Sequence, residues 1–531
     1  MKKVLALLLS LVLVMTFVTG CNNTSDENTS SDFVSSEDVS SDVIEFSSEE
    51  PVSSDIVSDD YSSDYDYSYE DVPEEDPYAG MSEAEKTAAQ IQLGENVEFL
   101  QAGVAKDANG QIKGNKVRAA NLLRKLQAGQ EVNIVTFGGI NVELADNYGT
   151  RLVEWALNYG GGSTVNYYPS GIPMITSDQA VYRVKHDVIS KNPDLVVLDF
   201  AVQDAIGGGA KSRSTAFENI VRRILAETKA CVIVLIGSGA EQNSYDMLPT
   251  NCDPIATASK YHTEVADYYD LPIIDFNEAV WNAISTVVEK KYYGEIPLLS
   301  WDFFSNNDNV QLGSVGMTSI ANMITTYFDG VAGELNKIGT NDSRNYGNLN
   351  DPATYLYKNN SYITGDYIDF VEMVDKTTHG YRIVEDSGNL TNTGGDSWTI
   401  VTNATQANGN RIQAYRPADA DGNSVPFTVE LPSAVKETNK ISVLYGYAYT
   451  AADKGVTTQP QSPIRIVSYD KDGNVLSSTK PSISIYRDAK KCNRTGALYS
   501  LPEGTVKVTF ECYVSQGTIY FYGLTSQQAI S

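Results

Sequence analysis

Asn133-Ile134-Val135-Thr136-Phe137, followed at once by Gly138-Gly139-Ile140, is the stretch that decides the fold. A short apolar run stopped by two glycines reads as a buried strand that delivers the chain into a tight turn. Working outward, helical periodicity runs over Lys116 to Gln127 before it and Leu144 to Tyr159 after it. Further apolar runs cover Leu195 to Ala201, Cys231 to Ile236 and Pro272 to Phe276. Between and after them, amphipathic segments cover Gln179 to Lys191, Ala216 to Thr228, Pro254 to Tyr269 and Ser314 to Phe328. Strand-length apolar runs alternating with helices predict an α/β fold with a parallel sheet covered on both faces. In such sheets sites form where strands end and helices begin, so the residues just after each strand carry the functional information.

At those positions the chain resembles the SGNH (GDSL-like) hydrolases, particularly their secreted carbohydrate-esterase-like branch. The resemblance is carried by Asn115-Lys116-Val117-Arg118 through Leu126-Gln127-Ala128-Gly129-Gln130-Glu131-Val132 and Ile134 to Gly139. It continues through Arg183, Asp187-Val188-Ile189 and Asn192-Pro193-Asp194-Leu195 to Asp199-Phe200-Ala201-Val202-Gln203-Asp204. The helix Phe217 to Leu225 and the block Asp308-Asn309-Val310-Gln311 with Gly316 complete it, from about Lys113 to Phe328 in unbroken order. It implies a three-layer, doubly wound parallel sheet.

The resemblance also implies a chemistry: a Ser after the first Gly-Gly, a Gly amide and an Asn side chain around the oxyanion, and an Asp-x-x-His pair. A hydroxyl is a weak nucleophile until an imidazole takes its proton, and the developing negative oxygen needs donors already aimed at it. Here the positions are replaced. Ile140 stands after Gly138-Gly139 and has no nucleophilic atom. Ser170-Gly171-Ile172-Pro173-Met174 stands for the Gly-rich loop, with Met174 at the glycine position and Pro173 lacking an N–H. Gln203 replaces the Asn before Asp204, and Gln311 replaces the His, leaving Asp308 without an imidazole to orient. The three histidines, His186, His262 and His379, are not spaced to stand in for Gln311. Ser238, in Gly237-Ser238-Gly239 after a strand, is the alternative nucleophile that reads as most exposed; it lacks the Gly-x-Ser-x-Gly elbow, and a plain turn is the competing reading. The expected cleft comprises Gly138, Gly139, Asn141, Asp204 and Asp308. In it Asn141 and Glu143 either join Asp204 or Asp308 as an acid pair or cation site, or serve as solvated or capping residues.

Toward the N-terminus, Met1-Lys2-Lys3 and the apolar run Val4 to Val18 have the layout of an export signal, too short to span a bilayer comfortably. Val18-Thr19-Gly20-Cys21 looks like a lipobox, so residues 1–21 are expected to be a lipoprotein signal with Cys21 acylated and a membrane lipid as its partner. Residues 22–80 contain no Lys or Arg and hold 19 acidic residues, most of the excess behind the net charge of −29. Such a stretch cannot bury enough apolar surface to fold. As a flexible coil its ends lie roughly 40 Å apart, enough to act as a stalk. So acidic a chain excludes nucleic acid as a partner.

Residues 81–345 form the expected hydrolase-like domain, and 346–531 turn to short alternating strands between Gly, Asn, Asp and Pro turns, the pattern of an antiparallel β-sandwich. Tyr445, Tyr447 and Tyr449 alternate along one strand and would share a face, where an aromatic row could stack on sugar rings or pack inside. Trp398, Tyr415, Arg416 and Tyr486 are further candidates of that kind. Cys231 reads as a buried thiol, and Cys492 and Cys512 are candidates for a disulfide. No Cys-x-x-Cys pair is present, and no metal or cofactor is expected. The sequence thus describes a lipid-anchored surface protein with a non-catalytic hydrolase-like domain that binds or scaffolds on polysaccharide. The alternatives are an active carbohydrate esterase with rearranged residues and a structural protein that docks a surface protein.

Overall fold

The structure, a computed structural model, describes residues 96–144, 146–172, 175–205, 210–239, 253–283, 304–305, 311–344 and 354–357. It also describes 367–369, 383–384, 398–402, 410–415, 426–431, 441–448, 464–480, 494–512 and 518–526. Cys21, the acidic stretch 22–80, Pro173, Met174, Asp308, His379, Arg416, Tyr449, Tyr486 and Cys492 lie outside the described residues. The chain divides into two units, Met1–Pro73 and Glu74–Ser531, and every described residue belongs to the second.

Five parallel strands, β1 (Val132–Gly138), β2 (Val165–Gly171), β3 (Leu195–Asp199), β4 (Cys231–Ile236) and β5 (Ile273–Asp275), form one sheet in the order β2-β1-β3-β4-β5. The helices are α1 (Val97–Ala102), α2 (Lys116–Gln127), α3 (Ile140–Glu143), α4 (Tyr148–Gly160), α5 (Ser177–Ala180), α6 (Val184–Asp187), α7 (Ala201–Ala205), α8 (Ala210–Glu227) and α9 (Asp253–Tyr268). They are followed by α10, described over 276–283, and α11 (Ser314–Ala332). Successive strand residues face opposite ways. Ile134, Leu195, Val197 and Ile233 therefore enter one core with Leu122, Leu126, Leu152 and Ile324. Val135, Val196, Leu198 and Val232 enter the other with Val184, Phe217, Ile220 and Val265. Each such side chain, fully buried, stabilises the fold by about 1.5–3 kcal/mol. This is the doubly wound arrangement, and the chain reverses its direction across the sheet between β1 and β3.

Three elements differ from the sequence expectation. β2 escapes the apolar-run test because it is an edge strand, half-buried over most of its length, and so keeps Asn166 and Pro169. The helix expected over Gln179 to Lys191 is instead α5, α6 and a 3-10 turn, Ile189–Lys191. Its buried, β-branched Val181, Val184 and Val188 lower the helix preference, and Asn192 at φ 49° ends it. The helix expected from Leu144 starts at Tyr148, because the Asn147 side chain accepts from the amides of Gly149 (2.7 Å) and Thr150 (3.1 Å).

Beyond α11 the chain stays on the α/β layers. Arg124 donates to the carbonyls of Leu335 (3.0 Å) and Ile338 (2.5 Å), and Arg118 pairs with Asp342 at 2.8 Å. Farther on, Thr354 to Tyr357 lies on α8, where Arg222 donates to the Thr354 carbonyl and hydroxyl, both at 2.8 Å.

The C-terminal part is antiparallel. One sheet runs β13 (Val475–Thr479), β12 (Ile464–Tyr469), β15 (Lys507–Cys512), β10 (Pro426–Glu430) and β7 (Ile383–Val384). The other runs β14 (Arg494–Leu501), β11 (Ile441–Ala448), β16 (Thr518–Ser526), β9 (Asn410–Tyr415) and β8 (Trp398–Thr402), with β6 (Tyr367–Asp369) also on β16. The expected turn between β12 and β13 forms: Asp470 Oδ1 accepts from Asp472 (2.9 Å) and Asn474 (2.8 Å), and Gly473 takes the φ of 83° that the turn requires.

Candidate functional site

The strand order reverses between β1 and β3, and open α/β sheets bind ligands in the crevice outside the C-terminal strand ends at such a point. From β1 come Gly138, Gly139 and the single turn α3; from β3 come Asp199, Phe200 and α7 with Gln203 and Asp204. The two segments touch through glycine. A Cβ on Gly139 would lie 2.3 Å from the Gln203 side-chain carbon and 2.4 Å from its nitrogen. The Gln203 amide therefore rests on the backbone beside Ile140, and no side chain is possible at 139. A Cβ on Gly138 would meet the Asp199 carbonyl at 2.2 Å.

Ile140 is half-buried at the start of α3. Asn141 and Glu143, expected as solvated or capping groups or as partners of Asp204, are buried instead, at 2% and 3% exposure. Asn141 Oδ1 accepts from the Leu312 amide at 3.0 Å and so ties α3 to the block that contains Gln311. Asp204 is bonded to other groups. Its Oδ1 accepts from the Ser177 amide at 2.8 Å, and its Oδ2 lies 3.0 Å from His262 Nε2. The His262 ring stacks on Phe217 with centroids 3.8 Å apart, and among the described residues its Nδ1 has no hydrogen-bond partner. The Asp204–His262 pair holds α7 to α9 behind the crevice. The sequence reading did not foresee it.

Ser238 corrects another expectation. It is fully buried, its hydroxyl donating to Asn277 Oδ1 (2.8 Å) and accepting from the Trp281 indole (3.1 Å). No imidazole is among these partners. His186 lies elsewhere, against Asp187 at 2.5 Å. Among the described residues no group of three or more His, Cys, Asp or Glu is placed to hold a metal ion.

Asp199, at the end of β3, was not singled out from the sequence. It is buried, its nearest polar side chain is the Tyr148 hydroxyl at 3.5 Å, and a Cβ on Gly237 would come within 3.2 Å of its Oδ1. Burial pushes its carboxyl up to about 7, and the Tyr148 hydroxyl pulls back only weakly. The same burial raises the Tyr148 hydroxyl well above its ordinary range. Cys231 is the expected buried thiol, pushed by burial up to about 12 and so inert as a nucleophile. Tyr445 and Tyr447 lie on β11 opposite Phe521 and Ile519 of β16, and Trp398 and Tyr415 lie on β8 and β9. Cys512 ends β15.

No protein-family model matches the chain, and a search of curated proteins by sequence finds no relative. Solved structures do match. A two-domain esterase active on acetylated mannans, crystallised with mannopentaose, is similar over 81% of this chain and 98% of its own, at 17% identity and a TM-score of 0.50. An acetyl xylan esterase is similar over 37% of this chain and 99% of its own, at 17% identity and a TM-score of 0.30. The first likeness shows the fold: an α/β part with a parallel sheet followed by an antiparallel β-rich part.

Proposed function

We propose that this chain is a lipid-anchored cell-surface protein whose hydrolase-like domain holds polysaccharide without cleaving it. The observation that carries the reading is Ile140. An aliphatic side chain begins α3 directly after Gly138-Gly139, where the resemblance calls for an attacking oxygen. The nearby Asn141 and the alternative hydroxyl Ser238 support the reading because both are already hydrogen-bonded elsewhere, Asn141 to Leu312 and Ser238 to Asn277 and Trp281, and the Gln203 amide packs on Gly139. A Ser without an imidazole is not activated, and Gln311 supplies none. The neighbouring fold's esterase acts on acetylated mannans, so an acetylated plant-type polysaccharide is the first ligand to test, with the β11 strand of Tyr445 and Tyr447 as a second contact.

The test incubates the full chain with a small acetyl ester and with a serine-reactive fluorophosphonate, and in parallel with insoluble acetylated mannan. Retention on the polymer with neither turnover nor labelling is expected. Turnover abolished by Ser238→Ala would establish the rearranged-esterase alternative instead. The anchor is tested separately: incorporation of labelled fatty acid should vanish in Cys21→Ser.

A further inference from the structure

We infer that a hollow at the β5 side of the parallel sheet, outside the β1–β3 crevice, is a second saccharide-binding site. The chain builds this hollow from backbone. After α1 it turns at Gly103, where any Cβ would strike the Met323 sulfur at 2.2 Å, and then runs antiparallel beside β5. The Ala105 amide donates to the Ile273 carbonyl (3.1 Å), the Asp275 amide to the Gly103 carbonyl (2.8 Å), and the Lys113 amide back to the Ala105 carbonyl (2.9 Å). The ribbon so formed, the end of α1, the side of α9 and the β5–α10 junction enclose about 370 Å³. That lies within the range of small-molecule sites, about 300–1,000 Å³.

The lining selects the ligand. Val104 and Ile273 supply a small apolar floor, while Gln101, Lys106, Thr263, Asp275 and Glu278 converge around it. Among the described residues, no side-chain hydrogen bond or ion pair engages the Gln101 amide, the Lys106 ammonium, the Thr263 hydroxyl or the Glu278 carboxylate. Asp275 spends one oxygen on the Glu278 amide at 2.8 Å and keeps the other. Burial pushes its carboxyl up to about 6, the mark of a group short of water and of partners. Lys113, also in the lining, is neutralised by Asp267 at 2.8 Å. The lining holds both donors and acceptors, two carboxylates disfavour an anion, and the small floor disfavours an apolar ligand. Pyranose hydroxyls match this set, since each can donate to a carboxylate and accept from an ammonium or amide.

The hollow borders β5, two strands from β3 in the sheet order, so about 10 Å separates it from the nearer side of the crevice. Only the choice of polymer rests on the function proposed above. The test titrates the detergent-solubilised full chain with mannopentaose and with free mannose, in the wild type and in the double variant Lys106→Ala/Glu278→Ala. Both residues are exposed, so the melting temperature should not move. Binding weakened at least about fivefold in the variant is expected. Weakening with mannopentaose alone assigns the site to a polymer chain, and weakening with both probes assigns it to a terminal or free sugar. Insoluble-mannan retention is read in the same variant. If it persists while oligosaccharide affinities are equal in the two proteins, this inference fails and the function proposed above stands. If mannan is not retained but the variant still weakens mannose, the reverse holds. No saturable binding of either probe up to about 10 mM also overturns the inference.

Discussion

At the C-terminal ends of β1 and β3, and on the outer face of α8, the molecule buries carboxyl groups in opposite ways. Glu218 on α8 is fully buried and filled: Oε1 accepts from the Tyr269 hydroxyl (2.5 Å) and the Leu356 amide (2.6 Å), and Oε2 accepts from the Tyr357 amide (2.9 Å). One turn on, Arg222 bonds Thr354 and lies 3.8 Å from the centre of the Tyr355 ring. Asp199 at the end of β3 is as deeply buried, but among the described residues its carboxylate has only the long contact to the Tyr148 hydroxyl. Where backbone amides fill the acceptors, the charge serves to hold a strap of chain against the sheet layers. Where they do not, a titratable group is left at the strand ends, the place where this fold builds its sites.

The comparison breaks first at the strap. Glu218→Ala leaves three donors without an acceptor and Arg222 buried beside them, and should cost about 3–5 kcal/mol in urea unfolding. Residues 354–357 should become a cleavage point in limited proteolysis. A loss below about 1 kcal/mol would mean that apolar packing, not the hydrogen bonds accepted by Glu218, holds the strap.

Asp199 gives the next effect, and its sign follows from its direction of shift. The folded carboxyl titrates near 7 against an ordinary 3.8, so the folded state holds the proton over that window. Stability should fall as pH rises from about 4 to 7 and stay low above, with a ceiling of about 4 kcal/mol for three units. Asp199→Asn should remove this slope, leaving the variant more stable than the wild type above pH 7 and nearly equal to it near pH 4. Parallel profiles for the two proteins would show that Asp199 is paired and ionised in the fold.

His262→Leu should be smaller. It strips one partner from Asp204 while the Ser177 amide stays, a cost of about 1–3 kcal/mol by chemical denaturation. No loss would mean that the stack on Phe217, which a leucine can replace, is what holds α9 there.

These residues also mark how much of the molecule is legible in its sequence. β1, β3 and β4 are legible because strands covered on both faces are continuous apolar text, and the glycines after β1 are legible as a turn. The reason for Gly139 is not, since it lies in the Gln203 amide arriving from 64 positions away. β2 hides because an edge strand tolerates Asn166 and Pro169. Ser238 misleads because two flanking glycines suggest exposure, while Asn277 and Trp281 close over it from the next helix. The Asp204–His262 pair left one usable trace. Ala258, His262 and Val265 fall on one buried helical stripe of α9, so His262 reads as an inward-facing histidine that needs a partner. Which partner it takes is a tertiary fact. Asp199 looks like the last letter of a strand, and only its burial makes it chemically distinct.

Ile140→Ser is expected to have the smallest effect, and it bears most directly on function. It places a hydroxyl at the start of α3, where the side chain is already half-buried, so stability should change little. A lone hydroxyl there has Gln203 beside it but no imidazole. His262 is turned to Asp204 behind the crevice, and Gln311 cannot take a proton. Acetyl-ester turnover by this variant should therefore match that of the wild type, with no fluorophosphonate label at position 140. The double variant Ile140→Ser/Gln311→His supplies both a hydroxyl and an imidazole and is the stricter probe. If it gains turnover and the single variant does not, the strand ends around Ile140 can support ester hydrolysis once a nucleophile and a base are both present, as the proposed function requires.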